Sequence, residues 1–261
     1  MVKMEFNVDF TQMHTTIEYF GEKEAIETYD EWERIFKEVK PKHWKEGRSA
    51  QSLADFMMKK DGFACVKNLV GKAIGKPLYE IEKVTIEGRV AFDDNNHSRE
   101  HDLAVVARTE SNQSVFIGVE AKVDESFGST IKQYETAARK KSENSKVPSR
   151  IKGLKEYFPK AKDDVFQNLQ YQLATATAGT LCAKTDQKSD YDFYVFMVLV
   201  FKTSLYNDTK GKKNKMAFEL FLNAIGAKAI GAKESAENIY GCEVKGKSLK
   251  IIYKEISCCS C

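Results

Sequence analysis

The chain contains 261 residues, of which 42% are hydrophobic and 30% charged, and its formal net charge is +3 at pH 7. This length can bury one sizeable core with peripheral additions. The sequence has no apolar run near the roughly 18 residues that a membrane span requires, and its N-terminal residues lack the basic and then apolar order of a signal peptide. We therefore expect a cytoplasmic protein that does not insert into a membrane.

The six cysteines fit a reducing compartment. Cys65, Cys182 and Cys242 are scattered along the chain, and the other three lie together in residues 258–261. That spacing is too compressed for a zinc site, which usually has two separated ligand pairs. We expect reactive thiols in a frayed tail.

The first predicted element is a helix over residues 16–39, with Trp32 and Phe36 at helical spacing. Residues 1–40 carry ten acidic and five basic side chains, and a lysine-proline pair ends the segment. We therefore predict an acidic N-terminal helical segment over residues 1–47. Its apolar side would pack against the core or against a protein partner.

The second predicted helix covers residues 48–60 and begins the core. Ser49 is assigned as its N-cap, and Leu53 and Phe56 belong to a buried stripe. Arg48, near the start of the helix, could bind either a phosphate or a neighbouring carboxylate.

Three strands follow in the predicted order. Residues 78–92 alternate apolar and charged side chains, which is typical of a half-buried strand. Residues 102–107 and 115–122 are short, β-branched and apolar, and the polar residues 108–114 join them as a turn would. We therefore predict a β-hairpin preceded by a further strand.

One end of this hairpin carries three charged side chains. Because side chains alternate along a strand, Glu120 and Lys122 share a face, and the hairpin register can place Asp102 opposite Glu120. Mg²⁺ and Mn²⁺ prefer oxygen ligands, which Asp102, Glu120 and the backbone carbonyl of Ala121 can supply. The pattern favours metal-assisted phosphodiester hydrolysis, in which Lys122 orients a water or stabilises the developing anion. The alternative is a set of solvated charges on an open sheet face.

The second half of the chain predicts one long helix over residues 165–184. Residues 191–201 are too apolar for a solvent-facing strand and predict a strand that is buried on both faces. The lysine-rich residues 209–215 are typical of a solvated loop. A helix over residues 216–225 and a closing strand over residues 248–256 complete the prediction.

The order of an aspartate, a β-hairpin, Glu120-Ala121-Lys122, a helix with glutamine and a buried strand resembles the PD-(D/E)XK nuclease superfamily, which has the restriction-endonuclease-like fold. The resemblance covers residues 49–203. Within that range the sequence also resembles an uncharacterised bacterial branch of that superfamily. It implies that Asp102 and Glu120 are metal ligands and that Lys122 is the catalytic lysine. The superfamily often has proline before the aspartate, where this chain has His101.

The same resemblance adds further candidate residues. Gln167 and Tyr171 match the exonuclease-like branch, whereas Gln172 is the competing choice if the Tyr-Gln-Leu wording aligns instead. An amide there can donate to a metal-bound water or to the scissile phosphate; the alternative is an exposed glutamine. Asp55 is the carboxylate that the first core helix could add to the site; the alternative is an exposed aspartate on that helix.

A basic segment follows the predicted site. Residues 132–162 carry ten basic and three acidic side chains, which suits contact with the phosphates of nucleic acid. The alternative is that these side chains only solvate helices. The candidate nucleic-acid-binding residues are Arg48, Lys132, Arg139, Lys140, Lys141, Arg150 and Lys152.

Together these patterns predict an α/β protein with a restriction-endonuclease-like core, in which a mixed sheet of at least four strands lies between helices in the order αβββαβ. The core would span residues 48–205, with residues 206–261 appended as a helix and a strand. We expect a Mg²⁺- or Mn²⁺-dependent nuclease that acts on DNA, and a homodimer would suit double-strand cleavage. The alternatives are a catalytically inactive nucleic-acid-binding or protein-interaction module and a metal-free structural domain.

Overall fold

The computed structural model describes residues 15–21, 25–93, 98–231 and 238–257. The helices are α1 (Tyr29–Val39), α2 (Ser49–Lys59), α3 (Gly62–Ile74), α4 (Ile131–Lys141), α5 (Val147–Lys155), α6 (Asp163–Gln167), α7 (Tyr171–Cys182) and α8 (Asp208–Ile225). The strands are β1 (Thr16–Tyr19), β2 (Leu78–Val90), β3 (Arg99–Thr109), β4 (Ser114–Lys122), β5 (Phe193–Lys202), β6 (Lys228–Ala229), β7 (Asn238–Val244) and β8 (Lys247–Ser257). In the part of the chain so described, no helix combines the length and apolarity that a membrane crossing needs.

The strands form one mixed sheet in the order β1-β2-β3-β4-β5-β8-β7-β6. β2, β3 and β4 are antiparallel neighbours, whereas β4, β5 and β8 run parallel. Helices cover both faces: Trp32 and Leu53 belong to the core on one side, and Leu173 and Phe221 belong to the core on the other. The α/β class and the helix-flanked mixed sheet are therefore as the sequence predicts.

The predicted hairpin is present as β3 and β4. Val115, Ile117, Val119 and Ala121 pack into the core on the side of α1, α2 and α3, as strand alternation requires. The antiparallel ladder reaches Leu103 and Val119. Asp102 and Glu120 are the next residues on their strands, so both lie where the two strands begin to separate.

The predicted buried strand is also present. β5 lies between β4 and β8, and its residues from Tyr194 to Phe201 are buried. β8 was expected only as a closing strand of an appended segment, but it pairs with β5 along nearly its whole length. Ile251 and Ile252 face opposite cores, which explains why β8 is buried inside the sheet.

The predicted single helix over residues 165–184 is wrong. The chain forms α6 and α7 with a break between them, where the N–H of Ile131 donates to the carbonyl of Leu169 at 2.8 Å and the N–H of Tyr171 donates to Ser129 at 3.0 Å. These bonds to a distant segment replace the local bonds that a continuous helix would need. The helical period alone cannot show such a break.

Three smaller predictions are wrong as well. Thr16–Tyr19 is a strand that pairs in parallel with β2, because its β-branched and aromatic residues fit the sheet edge. Ser49 is the first residue of α2, whose cap is Arg48. Residues 209–215 belong to α8, because the side chain of Asn207 caps that helix by accepting from the N–H of Lys210 at 3.0 Å.

Candidate active site

The three charged residues of the hairpin meet at the end of β3 and β4. The ammonium of Lys122 donates to Oε1 of Glu120 at 2.6 Å. The N–H of Ala121 donates to Oδ2 of Asp102, also at 2.6 Å. Glu120 and Lys122 are buried on the face of the sheet that α7 covers. The hairpin therefore brings together the residues that the sequence singles out.

Arg99 is a member of this cluster that the sequence analysis missed. Its guanidinium donates to Oε2 of Glu120, so both oxygens of that carboxylate are in ion pairs with cations. Residues 93–100 read as a polar loop in the sequence, but β3 begins at Arg99. Extending the strand by two residues before His101 would have placed Arg99 on a sheet face.

A second charge group lies beside the first and was also missed. Lys40 donates to Glu87 at 2.7 Å and to Glu100 at 2.6 Å. Glu87 has a positive φ of 55°, which is rare for a residue with a side chain. A Cβ at the following Gly88 would collide with the Cβ of Ala104, so only glycine fits there. This irregular stretch of β2 turns Glu87 towards the hairpin carboxylates.

The electrostatic strain of the cluster falls on Asp102. The pKa of its carboxyl is raised to about 7: burial is the largest cause, and the repulsion from Glu120 adds to it, against the opposing effect of Lys122. Burial also raises the pKa of Glu87. Although burial acts to lower the pKa of Lys122, Glu120 and Asp102 raise it above its ordinary value, so this ammonium stays charged.

His101 is a core residue and does not reach a substrate. Its side chain is fully buried, and burial holds the pKa of the imidazole well below its usual value. A Cβ at Gly118 would lie 2.7 Å from Cε1 of His101, and one at Gly179 would lie 3.0 Å from Nε2. The ring is thus enclosed between β4 and α7 and has no exposed surface.

The oxygen atoms of the site are of the type that a hard cation binds, but they are not arranged as a complete metal site. Asp102, Glu120 and the carbonyl of Ala121 offer only oxygen, which Mg²⁺ and Mn²⁺ prefer. Within the described ranges, no three His, Cys, Asp or Glu side chains are grouped so that they could hold a metal ion. A cation that binds Glu120 would have to replace Arg99 at Oε2, since Lys122 occupies Oε1.

A comparison with protein families assigns the chain to one of them. A family model described as "Domain of unknown function (DUF6946)" matches residues 25–257. The chain belongs to this family. The comparisons with curated proteins and with solved structures give no significant match. The match spans every element of the site, but the description of the family states no activity.

The remaining acid predicted from the first core helix lies elsewhere. Asp55 pairs with Lys59 at 2.9 Å and lines a separate cavity of about 110 Å³ beside Phe201 and Ser257. The carboxylate that joins Asp102 and Glu120 is instead Glu87, from a strand.

The glutamine and tyrosine candidates separate in space. Gln167 ends α6 and lines an open groove with Lys132 and Arg139, whereas Tyr171 begins α7 and lines a different cavity. Because the chain breaks between α6 and α7, Gln167 and Tyr171 lie on different helices, and their assignment to the site stays a prediction. The backbone carbonyl of Gln172 accepts a hydrogen bond from the hydroxyl of Thr175 at 3.2 Å.

The basic candidates fall into two groups. Arg48 is bound to Asp124, and Arg150 is bound to Asp93 at 2.6 and 3.0 Å, so both serve ion pairs within the protein. The others are exposed on α4 and α5, and Arg139 among them pairs with Glu135. These exposed residues are Lys132, Arg139, Lys140, Lys141 and Lys152.

A cavity of about 670 Å³ opens beside the carboxylate cluster. We call it the aromatic cavity, since three rings contribute to its wall. Arg99 and Glu100, which belong to the two charge groups, also line it. The rings are Phe92, Tyr134 and Tyr171, and the other basic residues of the wall are Lys146 and Arg150.

Proposed function

We propose that the protein is a Mg²⁺- or Mn²⁺-dependent nuclease that hydrolyses phosphodiester bonds, with DNA as the preferred substrate. The observation that carries the proposal is the meeting of Asp102, Glu120 and Lys122 at the end of one hairpin. The proposed core is restriction-endonuclease-like. The chain order supports that assignment: α2 precedes the antiparallel strands β2, β3 and β4, and α7 precedes the parallel strand β5, with α3 inserted before β2 and α4, α5 and α6 inserted before α7.

Each residue of the site has a separate role in this proposal. Asp102, Glu120 and the carbonyl of Ala121 would hold the cation, which supplies an acidified water and offsets charge on the phosphate. Lys122 keeps a full positive charge next to Glu120 and stabilises the anion that develops on the phosphate. Release of Glu120 by Arg99 makes one carboxylate oxygen available.

Asp102 gives the site a proton that responds to the cation. With a pKa of about 7, this carboxyl is partly protonated near neutrality. A cation close to Asp102 favours the charged form, so uptake of the cation should release a proton. The affinity for the cation should therefore increase as the pH rises towards the pKa of Asp102.

A second candidate function is a catalytically inactive module that binds nucleic acid. The double ion pair at Glu120 favours it, because the carboxylate is already neutralised by Arg99 and Lys122. In this case the basic residues of α4 and α5 would still contact phosphates, and no turnover would occur. The two candidates differ in one measurable property, which is cleavage.

The test is cleavage of supercoiled, linear double-stranded and single-stranded DNA, and of RNA, with Mg²⁺ or Mn²⁺ and with EDTA as the control. Lys122→Ala should lose cleavage. Lys210→Ala is the matched control, since Lys210 also pairs with a buried carboxylate, Asp124. Equal activity of the two variants would refute the role of Lys122. Binding of nucleic acid by the wild type without cleavage under any condition would favour the inactive module.

A further inference from the structure

The aromatic cavity has the size and the wall chemistry of a ligand site. At about 670 Å³ it lies within the range of pockets that hold small molecules, roughly 300 to 1,000 Å³. Its wall combines flat aromatic rings with cations, a pairing that matches a ligand with both an aromatic and an anionic part.

The rings of the wall already stack with flat partners. Tyr134 and Tyr171 are stacked at 3.8 Å between centroids with 14° between their planes. The guanidinium of Arg150 lies over Phe92 at 4.9 Å from the ring centroid. A planar base can extend a stack of this kind. The side chain of Tyr134 is only half-buried, so its ring is within reach of a ligand.

The cations of the wall differ in how firmly they are held. Asp93 fixes Arg150 with two bonds, of 2.6 and 3.0 Å, so this guanidinium forms a rigid part of the wall. Lys146 is exposed, and no carboxylate among the described residues pairs with it. Arg99 lies between the cavity and Glu120.

Glu100 is the acidic residue of this wall, and its charge is balanced. It accepts from Lys40 at 2.6 Å and pairs with Arg89 at 3.0 Å. The cavity therefore presents a net positive wall to an incoming anion.

We infer that the aromatic cavity binds one unpaired nucleotide, with its base stacked against Tyr134 and its phosphate held by Lys146 and Arg99. A base within a duplex is stacked on both faces and paired along one edge, so it could enter only after unstacking and unpairing, which disfavours duplex binding. The inference rests on the proposed function in one respect, that the strand leaving the cavity passes the carboxylates beside Arg99. The shared chemistry of base and phosphate is found both in a nucleic-acid strand and in a free mononucleotide.

The experiment is fluorescence anisotropy of a labelled single-stranded oligonucleotide in EDTA, where no metal-dependent cleavage occurs. Tyr134→Ala and Lys146→Glu should each weaken binding by about tenfold, the scale of one stacked base or one phosphate contact. The matched controls are Tyr79→Ala and Lys188→Glu. Tyr79 is 65% exposed and lies outside the cavity wall, and Lys188 lies on an exposed turn. Both controls should bind like the wild type.

Competition separates the sources of the ligand. Displacement of the oligonucleotide by dAMP but not by deoxyribose 5-phosphate would support recognition of the base, and weak displacement by a duplex would support the unpaired form. Displacement by dAMP at low concentration would assign the cavity to free mononucleotides as well. If the duplex competes as well as the single strand, the inference is wrong.

The outcomes for the cavity and for the nuclease are independent. Single-strand binding that depends on Tyr134 and Lys146, without cleavage when Mn²⁺ is added, would support the cavity and refute the nuclease. Cleavage by the wild type with unchanged binding in Lys146→Glu and Tyr134→Ala would refute the cavity alone. Lys146 is a surface residue, so its variant keeps the test decisive even if Tyr134→Ala does not fold.

Discussion

Two buried carboxylates near the end of β4, Glu120 and Asp124, have the same formal environment, because each contacts two cations. Glu120 contacts Arg99 and Lys122, whereas Asp124 contacts Arg48 and Lys210. The cations differ in exposure: the side chains of Arg48 and Lys210 are 36% and 59% exposed, but those of Arg99 and Lys122 are 12% and 8% exposed.

The neighbours of the two carboxylates show what the difference means. The cations hold the pKa of Asp124 below its usual value even though burial acts to raise it, so this group joins α2 and α8 as a satisfied ion pair. At Glu120, Asp102 lies close by with a raised pKa, and in the described structure it forms no ion pair of its own. Asp124 therefore belongs to ion pairs with a structural role. The Glu120 cluster instead contains Asp102, whose carboxyl has no ion-pair partner among the described residues and would be stabilised by a cation.

The largest expected effect is on stability. Glu120→Ala leaves two buried cations without a partner and should lower the free energy of unfolding by about 3 to 5 kcal/mol. Asp124→Ala leaves cations that reach solvent, so its loss should be about 1 kcal/mol. The midpoints of urea unfolding measure both. Similar losses of stability in the two variants would show that the two carboxylates have equivalent structural roles.

The pH dependence should have opposite signs at the two sites. Because the folded-state pKa of Asp102 is raised from 3.8 to about 7, the folded protein binds that proton more tightly, and stability falls as the pH rises through this window. Asp102→Asn should remove this loss. The pKa of Asp124 is lowered, so its contribution is present above the ordinary aspartate pKa and is lost on acidification. Urea midpoints between pH 3 and 8, in EDTA, test both; an Asp102→Asn variant with the wild-type profile would contradict the assignment.

Arg99 should compete with a metal for Glu120. Arg99→Ala removes the cation from Oε2, so the affinity for Mn²⁺ should increase by about fivefold, the scale of one contact coupling. Arg48→Ala, which removes the equivalent partner of Asp124, should leave Mn²⁺ binding unchanged. Titration calorimetry measures both. Weaker Mn²⁺ binding in Arg99→Ala would mean that Arg99 supports the site instead of blocking it.

The smallest effect concerns the outer surface of α4. Neutralising Lys132, Lys140 and Lys141 should reduce the salt slope of nucleic-acid binding by about one unit for each lost phosphate contact. The matched control neutralises Lys212, Lys213 and Lys215, which are exposed on α8. An unchanged slope in the α4 variant would leave its lysines as solvated residues only.

The site residues whose positions follow from strand periodicity could be predicted from the sequence. The site residues whose positions depend on tertiary contacts could not. The alternation in β3 and β4 is sufficient to place Asp102, Glu120 and Lys122 together. Glu87 lies near them because its backbone is irregular and has a positive φ. The alternation of side chains along a regular strand does not predict such a conformation.

The fold shows the same division. The buried strand β5 could be predicted from its unbroken apolar run. The break between α6 and α7 could not, because it depends on hydrogen bonds to residues 129–131, which are far away in the sequence. The predicted thiol cluster at residues 258–261 lies outside the described residues.

The most direct test of the account is the Mn²⁺ binding isotherm of the wild type, of Glu120→Gln and of Asp124→Asn. The account predicts binding by the wild type, affinity weaker by at least about tenfold in Glu120→Gln, the scale of a lost ligand, and wild-type affinity in Asp124→Asn. Equal Mn²⁺ affinity in wild type and Glu120→Gln, or no binding by either, would contradict the claim that the Glu120 cluster is a metal site.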